Sequence, residues 1–205
     1  MNHSTLRYYN ENAEQTAARY ETADVSDLHI LLKNSFKPSA NLLELGCGSG
    51  RDASFMMSQG FKVIGIDGSN AMVKSALIHH PELSGCLHTI EIPKGLSAKL
   101  GPFEGVFSIA TLMHLSRPDI EKTMVAIRSL LISKGLFFFS VPIQRDDTQK
   151  NEFNGKGRRF TALTQDDWLN LCKRYGFKTI QSSITKDGLG RDSIFWMNCL
   201  TEKSE

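Results

Sequence analysis

The stretch Leu42-Leu43-Glu44-Leu45-Gly46-Cys47-Gly48-Ser49-Gly50-Arg51-Asp52 decides the fold of this 205-residue chain. An apolar run that ends in glycines at alternate positions predicts a buried strand followed by a tight turn into a helix. Glycine has no Cβ, so the backbone N–H groups of such a turn can approach a polar ligand closely. The stretch therefore predicts a nucleotide-type ligand at a strand-to-helix turn.

The spacing of the glycines separates two classes of cofactor. Dinucleotide-binding turns carry Gly-x-Gly-x-x-Gly, whereas Gly46, Gly48 and Gly50 alternate here and Arg51 follows them. Glu44 precedes the turn, where a carboxylate would repel a pyrophosphate and attract an ammonium or sulfonium group. The pattern favours S-adenosylmethionine, although a nicotinamide-linked oxidoreductase would use a similar turn.

A second feature, further along the chain, supports the same cofactor. Residues 61–66 read Phe-Lys-Val-Ile-Gly-Ile and predict a buried strand that ends at Asp67 and Gly68. A carboxylate at the carboxyl end of the neighbouring strand can accept both hydroxyls of a ribose. Residues 52–59 have the length of a short helix, and Gly60 ends it. Together the two motifs predict a strand-helix-strand unit that binds a nucleoside.

The chain resembles class I S-adenosylmethionine-dependent methyltransferases over nearly its whole length, and among them small bacterial proteins of the tellurite-resistance-like type. The segments that carry the resemblance are Tyr8-Tyr9 with Asn12-Ala13, the glycine turn through Asp52, residues 66–69 with Met72, residues 112–115, Arg159-Phe160-Thr161, residues 188–191, Trp196 and Asn198. Periodicity alone predicts a doubly wound α/β sheet. The resemblance implies a Rossmann-like sheet of seven strands, one of them antiparallel in the edge region, with helices on both faces.

Turn chemistry and resemblance together give a set of expected cofactor-binding residues. They are Tyr9, Glu44, Gly46, Cys47, Gly48, Gly50, Arg51, Asp52, Asp67, Gly68, Met72 and Ala110.

Composition and charge are those of an ordinary globular protein. Hydrophobic residues make up 40% of the chain and charged residues 22%, and the net charge is +2. A charge this close to zero does not indicate a nucleic-acid partner. No apolar run approaches the roughly 20 residues of a membrane helix, and the start lacks an apolar signal core, so we expect a cytoplasmic protein. Four cysteines without Cys-x-x-Cys pairing indicate neither disulfide nor zinc.

We expect residues 1–205 to form one domain, with residues 1–37 as an N-terminal helical cap. Residues 144–160 are polar and follow a predicted strand at its carboxyl end, where open α/β sheets bind ligands. The segment is predicted to be either a solvated loop or a lid over the substrate. Lys150, Lys156, Arg158 and Arg159 cluster in it, together with the acids Asp146, Asp147 and Glu152.

His114 is the candidate catalytic base. It lies four residues beyond Ala110, at the predicted carboxyl end of the fourth strand. An imidazole titrates near neutral pH and can take a proton from a neutral acceptor. The same residue could instead be a hydrogen-bonded histidine that shapes the pocket, and the sequence leaves both roles open.

The methyl acceptor is narrowed by motifs that the sequence lacks. Residues 109–112 do not contain the Asp/Asn-Pro-Pro-aromatic element of enzymes that methylate exocyclic amines, and no acidic cluster indicates a catalytic divalent metal. We therefore expect methyl transfer to an oxygen, nitrogen, sulfur or metalloid atom of a small molecule, with S-adenosylhomocysteine as product. Methylation of RNA, DNA or protein is the alternative, and a cofactor-binding protein without methyl transfer is another.

Overall fold

The computed structural model describes residues 3–146 and 152–205. Three helices come first: α1 (His3–Glu11), α2 (Ala13–Glu21) and α3 (Ser26–Ser35). Strands and helices then alternate as β1 (Asn41–Leu45), α4 (Arg51–Ser58), β2 (Lys62–Asp67), α5 (Asn70–His79), β3 (Leu87–Thr89), β4 (Phe103–Ile109), α6 (Arg117–Leu130), β5 (Leu131–Gln144), α7 (Gln165–Arg174), β6 (Phe177–Lys186) and β7 (Phe195–Lys203). Within these ranges, no helix is long and apolar enough to cross a bilayer.

The seven strands form one sheet in the order β3-β2-β1-β4-β5-β7-β6. Strands β1 to β5 pair in parallel, whereas β7 runs antiparallel to both of its neighbours, β5 and β6. The predicted α/β sheet of seven strands with one antiparallel strand is confirmed. The order of the strands reverses at β1, because β2 and β3 lie on one side of it and β4 and β5 on the other. Open sheets bind ligands at the carboxyl ends of the strands beside such a point.

Alternate residues of the central strands enter two different apolar clusters. Leu42 and Phe138 belong to a cluster with α3, α4 and α5, whereas Leu43 and Phe137 belong to a cluster with α6 and α7. Successive side chains of a strand point to opposite faces of a sheet, so helices cover both faces. Burial on both faces explains why these strands are continuously apolar in sequence.

Two predicted strand boundaries differ from the structure, each because of a local turn. The sequence of residues 86–92 predicts a strand, but β3 ends at Thr89, and the Gly95 N–H then bonds to the Glu91 carbonyl (2.7 Å) in a turn that contains Pro93. The sequence of residues 192–200 likewise predicts the last strand, but β7 begins at Phe195. Residues 187–194 form a longer turn around the Asp187 carboxylate, which accepts hydrogen bonds from the Leu189 N–H and the Trp196 indole.

Helices α1 and α2, which we call the cap, both contact α5, and α2 packs on it through small side chains. Ala13 and Ala17 form a minor buried cluster with Met72 of α5. Polar contacts hold the two ends of this cap: the Ser4 hydroxyl donates to the Gly157 carbonyl (2.8 Å), and the Asp24 N–H donates to the Gly188 carbonyl (3.2 Å). The cap is thus attached at its two ends to two separate loops, at residues 157 and 188.

Candidate active site

A cavity of about 580 Å³ lies under the cap at the carboxyl ends of the parallel strands. It reaches from Asp67, at the end of β2, to Asn198 on β7. Four strand intervals of about 4.8 Å separate these strands, so the cavity is roughly 19 Å across. That length can hold a nucleoside cofactor at one end and a second molecule at the other.

The glycine turn brings the backbone close to this cavity. Gly46 has φ +75°, and a Cβ built on it would lie 2.1 Å from the Thr111 hydroxyl oxygen. The N–H groups of Gly46 and Cys47 both donate to the Ile66 carbonyl, at 2.7 and 3.0 Å. Only glycine fits the first position, because any side chain would occupy the space of Thr111.

Asp67 connects the glycine turn to the start of α5. Its Oδ2 accepts the Gly48 N–H (3.0 Å) and its Oδ1 accepts the Ser69 N–H (2.8 Å). Burial raises the pKa of this carboxyl, and the two N–H donors oppose that effect. Each oxygen keeps a second lone pair, and Asp67 lines the cavity. The arrangement fits the two hydroxyls of a ribose.

Three of the expected residues do not line the cavity, namely Glu44, Gly50 and Gly68. Glu44 is buried in β1, and burial, followed by the nearby Asp52 carboxylate, raises its pKa well above the usual range. A carboxyl with a raised pKa carries less charge than the sequence argument assumes. A Cβ on Gly50 would lie 2.9 Å from Leu83, so this glycine permits the packing of α4 on the neighbouring loop.

Arg51 and Asp52 join the glycine turn to the cap. The Arg51 guanidinium donates to both oxygens of Asp52 (2.9 and 3.0 Å) and to the Tyr20 carbonyl (2.9 Å). His29 of α3, which the sequence analysis missed, donates to the same carboxylate (2.8 Å). Burial opposes ionisation, but Arg51 and His29 hold the pKa of Asp52 below its usual range. Both predicted residues line the cavity, held in place by this network.

The other expected residues line the cavity as well: Tyr9, Cys47, Met72 and Ala110. Burial raises the pKa of the Cys47 thiol well above its usual range, so this thiol stays protonated. Ala110 has φ +54°, and its N–H donates to the Ser140 carbonyl (2.9 Å). That left-handed conformation turns the chain away from β4 at the edge of the cavity.

Both ring nitrogens of His114 have partners. Nδ1 lies 2.6 Å from the Arg159 carbonyl, which can only accept, so the proton sits on Nδ1. Nε2 is then an acceptor, and the Tyr9 hydroxyl donates to it at 2.8 Å. The ring is buried, and burial lowers its pKa to about 3. His114 is therefore neutral and links Tyr9 of the cap to the segment that precedes Phe160.

The pKa of His114 predicts a pH dependence of folding. Because the folded-state pKa lies below the unfolded value of about 6.5, the unfolded state binds more protons between the two, and stability falls as the pH drops through this window. From pH 7.5 to 5 the wild type should lose about 2 kcal/mol more free energy of unfolding than His114→Gln, measured by urea titration. His79→Gln, at an exposed position, should keep the wild-type slope. Parallel curves for wild type and His114→Gln would contradict this assignment.

Aromatic and cationic side chains form the other end of the cavity, and the sequence analysis singled out few of them. The Arg145 guanidinium stacks 3.9 Å from the centre of the Phe160 ring, and that of Arg158 lies 5.1 Å from the same ring and 4.8 Å from Tyr8. Arg158 is 9% exposed, and within the described part of the chain its Nε has no hydrogen-bond partner. We call Arg145, Arg158 and Phe160 the arginine-aromatic cluster.

The proposed lid over residues 144–160 is described in part. Lys150 lies outside the described residues. Phe153 pairs with Arg159 in an isolated bridge, and Arg159 forms an ion pair with Glu152. Residues 145, 158 and 160 line the cavity. The described part of the segment thus contributes three side chains to the cavity wall.

A profile of the methyltransferase domain matches residues 13–182. The chain belongs to this methyltransferase family. It is an S-adenosylmethionine-dependent methyltransferase of class I, and the glycine turn and Asp67 are the groups that fit the nucleoside of that cofactor.

Two curated relatives match part of this methyltransferase. The 18S rRNA (guanine-N(7))-methyltransferase bud23 of Schizosaccharomyces pombe is 36% identical over 96 residues, which are 47% of this chain and 35% of the relative. The 18S rRNA (guanine-N(7))-methyltransferase of Mus musculus is 30% identical over 110 residues, 54% of this chain and 38% of the relative. The matched region therefore spans little more than a third of the length of either relative.

Solved structures share the fold of this methyltransferase over most of its length. The 1,6-didemethyltoxoflavin-N1-methyltransferase of Burkholderia thailandensis, with bound S-adenosylhomocysteine, has a TM-score of 0.79 at 15% identity and covers 98% of this chain and 88% of its own. A methyltransferase in complex with the Trm112 activator of Haloferax volcanii has a TM-score of 0.72 at 12% identity, with 98% of each chain covered. At such identities the likeness establishes the fold alone.

The relatives correct one expectation. A small-molecule acceptor without nucleic acid was predicted from the net charge and the missing motifs, and this prediction is wrong, because the matching relatives are rRNA methyltransferases. Net charge averages over the whole surface and does not show how charges are arranged. The cavity lining is mixed: its cations are Arg19, Arg51, Arg145, Arg158, Lys186 and Arg191, and its carboxylates are Asp24, Asp27, Asp52, Asp67 and Asp187. Arg51 and Arg191 are paired with Asp52 and Asp187, whereas Arg145 and Arg158 lie on the Phe160 ring.

Proposed function

We propose that this methyltransferase transfers the methyl group of S-adenosylmethionine to N7 of a guanine in RNA. The relatives motivate the choice of acceptor. The observation that carries it is the state of His114, whose two ring nitrogens are both engaged and whose pKa is lowered to about 3. A histidine held in this way is poorly suited to take a proton from an acceptor.

Guanine N7 fits a site in which the candidate base His114 is already engaged at both ring nitrogens. Bound S-adenosylmethionine supplies a methyl group already activated on a sulfonium sulfur. The N7 lone pair forms the N–C bond while the C–S bond breaks and the sulfur keeps its electron pair. Because N7 carries no hydrogen, no proton has to leave. What remains for the protein is to hold donor and acceptor in line.

Within this proposal His114 positions other groups and does not act as the base. It orients the Tyr9 hydroxyl through Nε2 and holds the Arg159 backbone through Nδ1. Most of the carboxylates that line the cavity are engaged as well: Asp24 with Ser26, Asp52 with Arg51, Asp67 with two backbone N–H groups, and Asp187 with Arg191 and Trp196.

The acceptor end of the cavity has the chemistry that an extruded base requires. Proteins bind unpaired RNA bases by stacking them on aromatic rings or guanidinium planes, and hold the backbone through cations. The arginine-aromatic cluster offers both, and Tyr20 and Trp196 line the same space. The Arg158 guanidinium approaches two rings and interacts with the Tyr9 hydroxyl, and its Nε has no hydrogen-bond partner among the described residues, so that nitrogen can still donate to a phosphate or a base.

Transfer to RNA is the direct test of the proposal. The protein is incubated with S-adenosylmethionine labelled in the methyl group and single-stranded 12-mer RNAs that contain one guanosine or, as the matched control, one 7-deazaguanosine. We expect label in the first RNA and none in the second, which lacks N7. Equal labelling of the two, or no labelling of the first while S-adenosylmethionine still binds, would overturn the proposal.

Arg158→Gln should weaken RNA binding and leave cofactor binding unchanged. If the guanidinium contacts a phosphate, the salt dependence of the RNA association constant should lose about one unit of log-log slope, with a Kd raised roughly fivefold to tenfold at low salt. Fluorescence anisotropy measures RNA binding, and calorimetry measures cofactor binding. Lys62→Gln, at the amino end of β2 and therefore at the opposite edge of the sheet, is the control and should match the wild type. An unchanged slope for Arg158→Gln would rule out its phosphate contact.

The finer resemblance to tellurite-resistance-like methyltransferases stays a prediction, and the proposal does not rest on it.

A further inference from the structure

Ser140 and Asn198 lie opposite each other on the floor of the cavity. They are register partners in the antiparallel pair of β5 and β7, and both line the cavity. Their relative exposures are 3% and 4%, so each side chain is almost completely shielded from bulk water. Side chains opposite each other in such a pair have Cβ atoms about 5 Å apart, which is close enough to contact adjacent atoms of one ligand.

The Asn198 amide is only half satisfied. Its Nδ2 donates to the Thr185 hydroxyl at 3.0 Å, whereas the buried Oδ1 has no hydrogen-bond partner among the residues that the structure describes. A buried polar atom without a partner destabilises the folded state, and such atoms in native proteins call for an explanation. The mechanism proposed above does not use this amide, and a bound molecule would supply its missing donor.

The position of the pair indicates which molecule that is. The Ser140 carbonyl accepts the Ala110 N–H (2.9 Å), so Ser140 is level with the carboxyl end of β4. Asp67, the ribose-binding candidate, is on β2, which β1, β4 and β5 separate from β7. At about 4.8 Å per interval, Asn198 lies roughly 19 Å from the ribose end. The pair therefore belongs to the acceptor end.

We propose that Asn198 and Ser140 recognise the edge of guanine on which N1–H and O6 are neighbours. Asn198 Oδ1 accepts the N1–H, and the Ser140 hydroxyl donates to O6. N7 lies on the other side of O6 from N1, so this contact leaves the N7 lone pair free to react. The inference rests on the proposed function and adds to it the residues that distinguish guanine from other purines. Asn198 and Ser140 position the base and take no part in bond making.

Base analogues test the inference independently of the fold of any variant. The 12-mer RNA with one guanosine is compared with the same RNA containing 2-aminopurine, which keeps N7 but lacks both O6 and N1–H. We expect the wild type to prefer guanosine in kcat/KM by roughly 5- to 100-fold, the range of a good two-point base contact. Asn198→Ala should remove most of that preference by lowering the guanosine value while leaving the 2-aminopurine value unchanged.

Two controls separate recognition from structural damage. Asn198→Asp keeps an acceptor oxygen and should restore part of the preference, and Ser182→Ala, on β6 outside the cavity lining, should match the wild type. Equal kcat/KM of the wild type on both RNAs, or an equal loss on both RNAs in Asn198→Ala, overturns the inference and leaves the proposed function standing. No transfer to either RNA by wild type that still binds S-adenosylmethionine overturns the proposed function, and the inference with it.

Discussion

Replacing Gly46 with alanine should abolish measurable S-adenosylmethionine binding. The new Cβ would lie 2.1 Å from the Thr111 hydroxyl oxygen, and the residue would have to keep φ +75°. The left-handed conformation alone costs about 1–2 kcal/mol, and the overlap forces the turn away from Thr111. Since the turn also positions the Gly48 N–H on Asp67, the carboxylate that we expect to accept the ribose hydroxyls is displaced too. We expect the Kd for S-adenosylmethionine to rise by a factor of about 100 or more, measured by calorimetry.

Gly60→Ala is the matched control for this substitution. Gly60 has φ +87°, but no heavy atom lies within 4 Å of its built Cβ. The control therefore carries the conformational strain without the steric overlap, and it should lower the free energy of unfolding by about 1–2 kcal/mol while the affinity for S-adenosylmethionine stays that of the wild type. Wild-type affinity in Gly46→Ala, or an equal loss of affinity in both variants, would show that the contact with Thr111 is not what requires glycine.

Asp67→Ala should raise the Kd for S-adenosylmethionine at least as much as the change at Gly46. The substitution removes the acceptor for the ribose hydroxyls and also leaves the Gly48 and Ser69 N–H groups without their partner. Hydrogen bonds to a charged group are worth about 1.5–3 kcal/mol each. Loss of the two bonds from the ribose hydroxyls should therefore raise the Kd by a factor of about 100 or more. Calorimetry with S-adenosylmethionine and S-adenosylhomocysteine should show the same loss, because both carry the same ribose.

Asp187→Asn provides the control for charge. Asp187 lines the same cavity, but its carboxylate is bound to Arg191 and Trp196 near the acceptor end. This substitution should loosen residues 187–194 without changing the affinity for S-adenosylmethionine. If both variants lost affinity to the same extent, the negative charge of the cavity, and not the hydrogen bonds of Asp67, would be the source of cofactor binding.

The parts of the fold that sequence predicts well are those specified by neighbouring residues. The glycine turn and Asp67 depend on one strand-helix-strand unit, so alternating glycines and a carboxylate after an apolar run were sufficient signals. The Thr164-Asp167 pair likewise caps α7, because the Thr164 hydroxyl accepts the Asp167 N–H. The cap of α7 is fixed within three positions, and the Gly48–Asp67 contact joins the two strands of one strand-helix-strand unit, 19 positions apart.

The residues of the acceptor end of the cavity could not be predicted from the sequence in the same way, because they meet only through tertiary packing. The Tyr9 hydroxyl and His114 are 105 positions apart, and His114 and the Arg159 carbonyl are 45 apart. Ser140 and Asn198 meet through the register of the antiparallel strand, which no local pattern specifies. The net charge misled the sequence analysis for a related reason, since it carries no information on where the cations gather.

The small side chains of the cap affect the order in which parts of the protein unfold. Ala13 and Ala17 bury little apolar surface against Met72, whereas the sheet beneath is held by two large apolar clusters. Segments with few buried apolar contacts open with a free energy well below that of global unfolding. At the end of the cap, Gly188 allows the backbone of Asp24 to come close, since a Cβ built on Gly188 would lie 2.5 Å from the Asp24 carbonyl oxygen. This contact therefore buries no large side chain. We therefore expect α1 and α2 to open at a lower free energy than the sheet, so that their backbone amides exchange hydrogen faster than those of β1, β4 and β5.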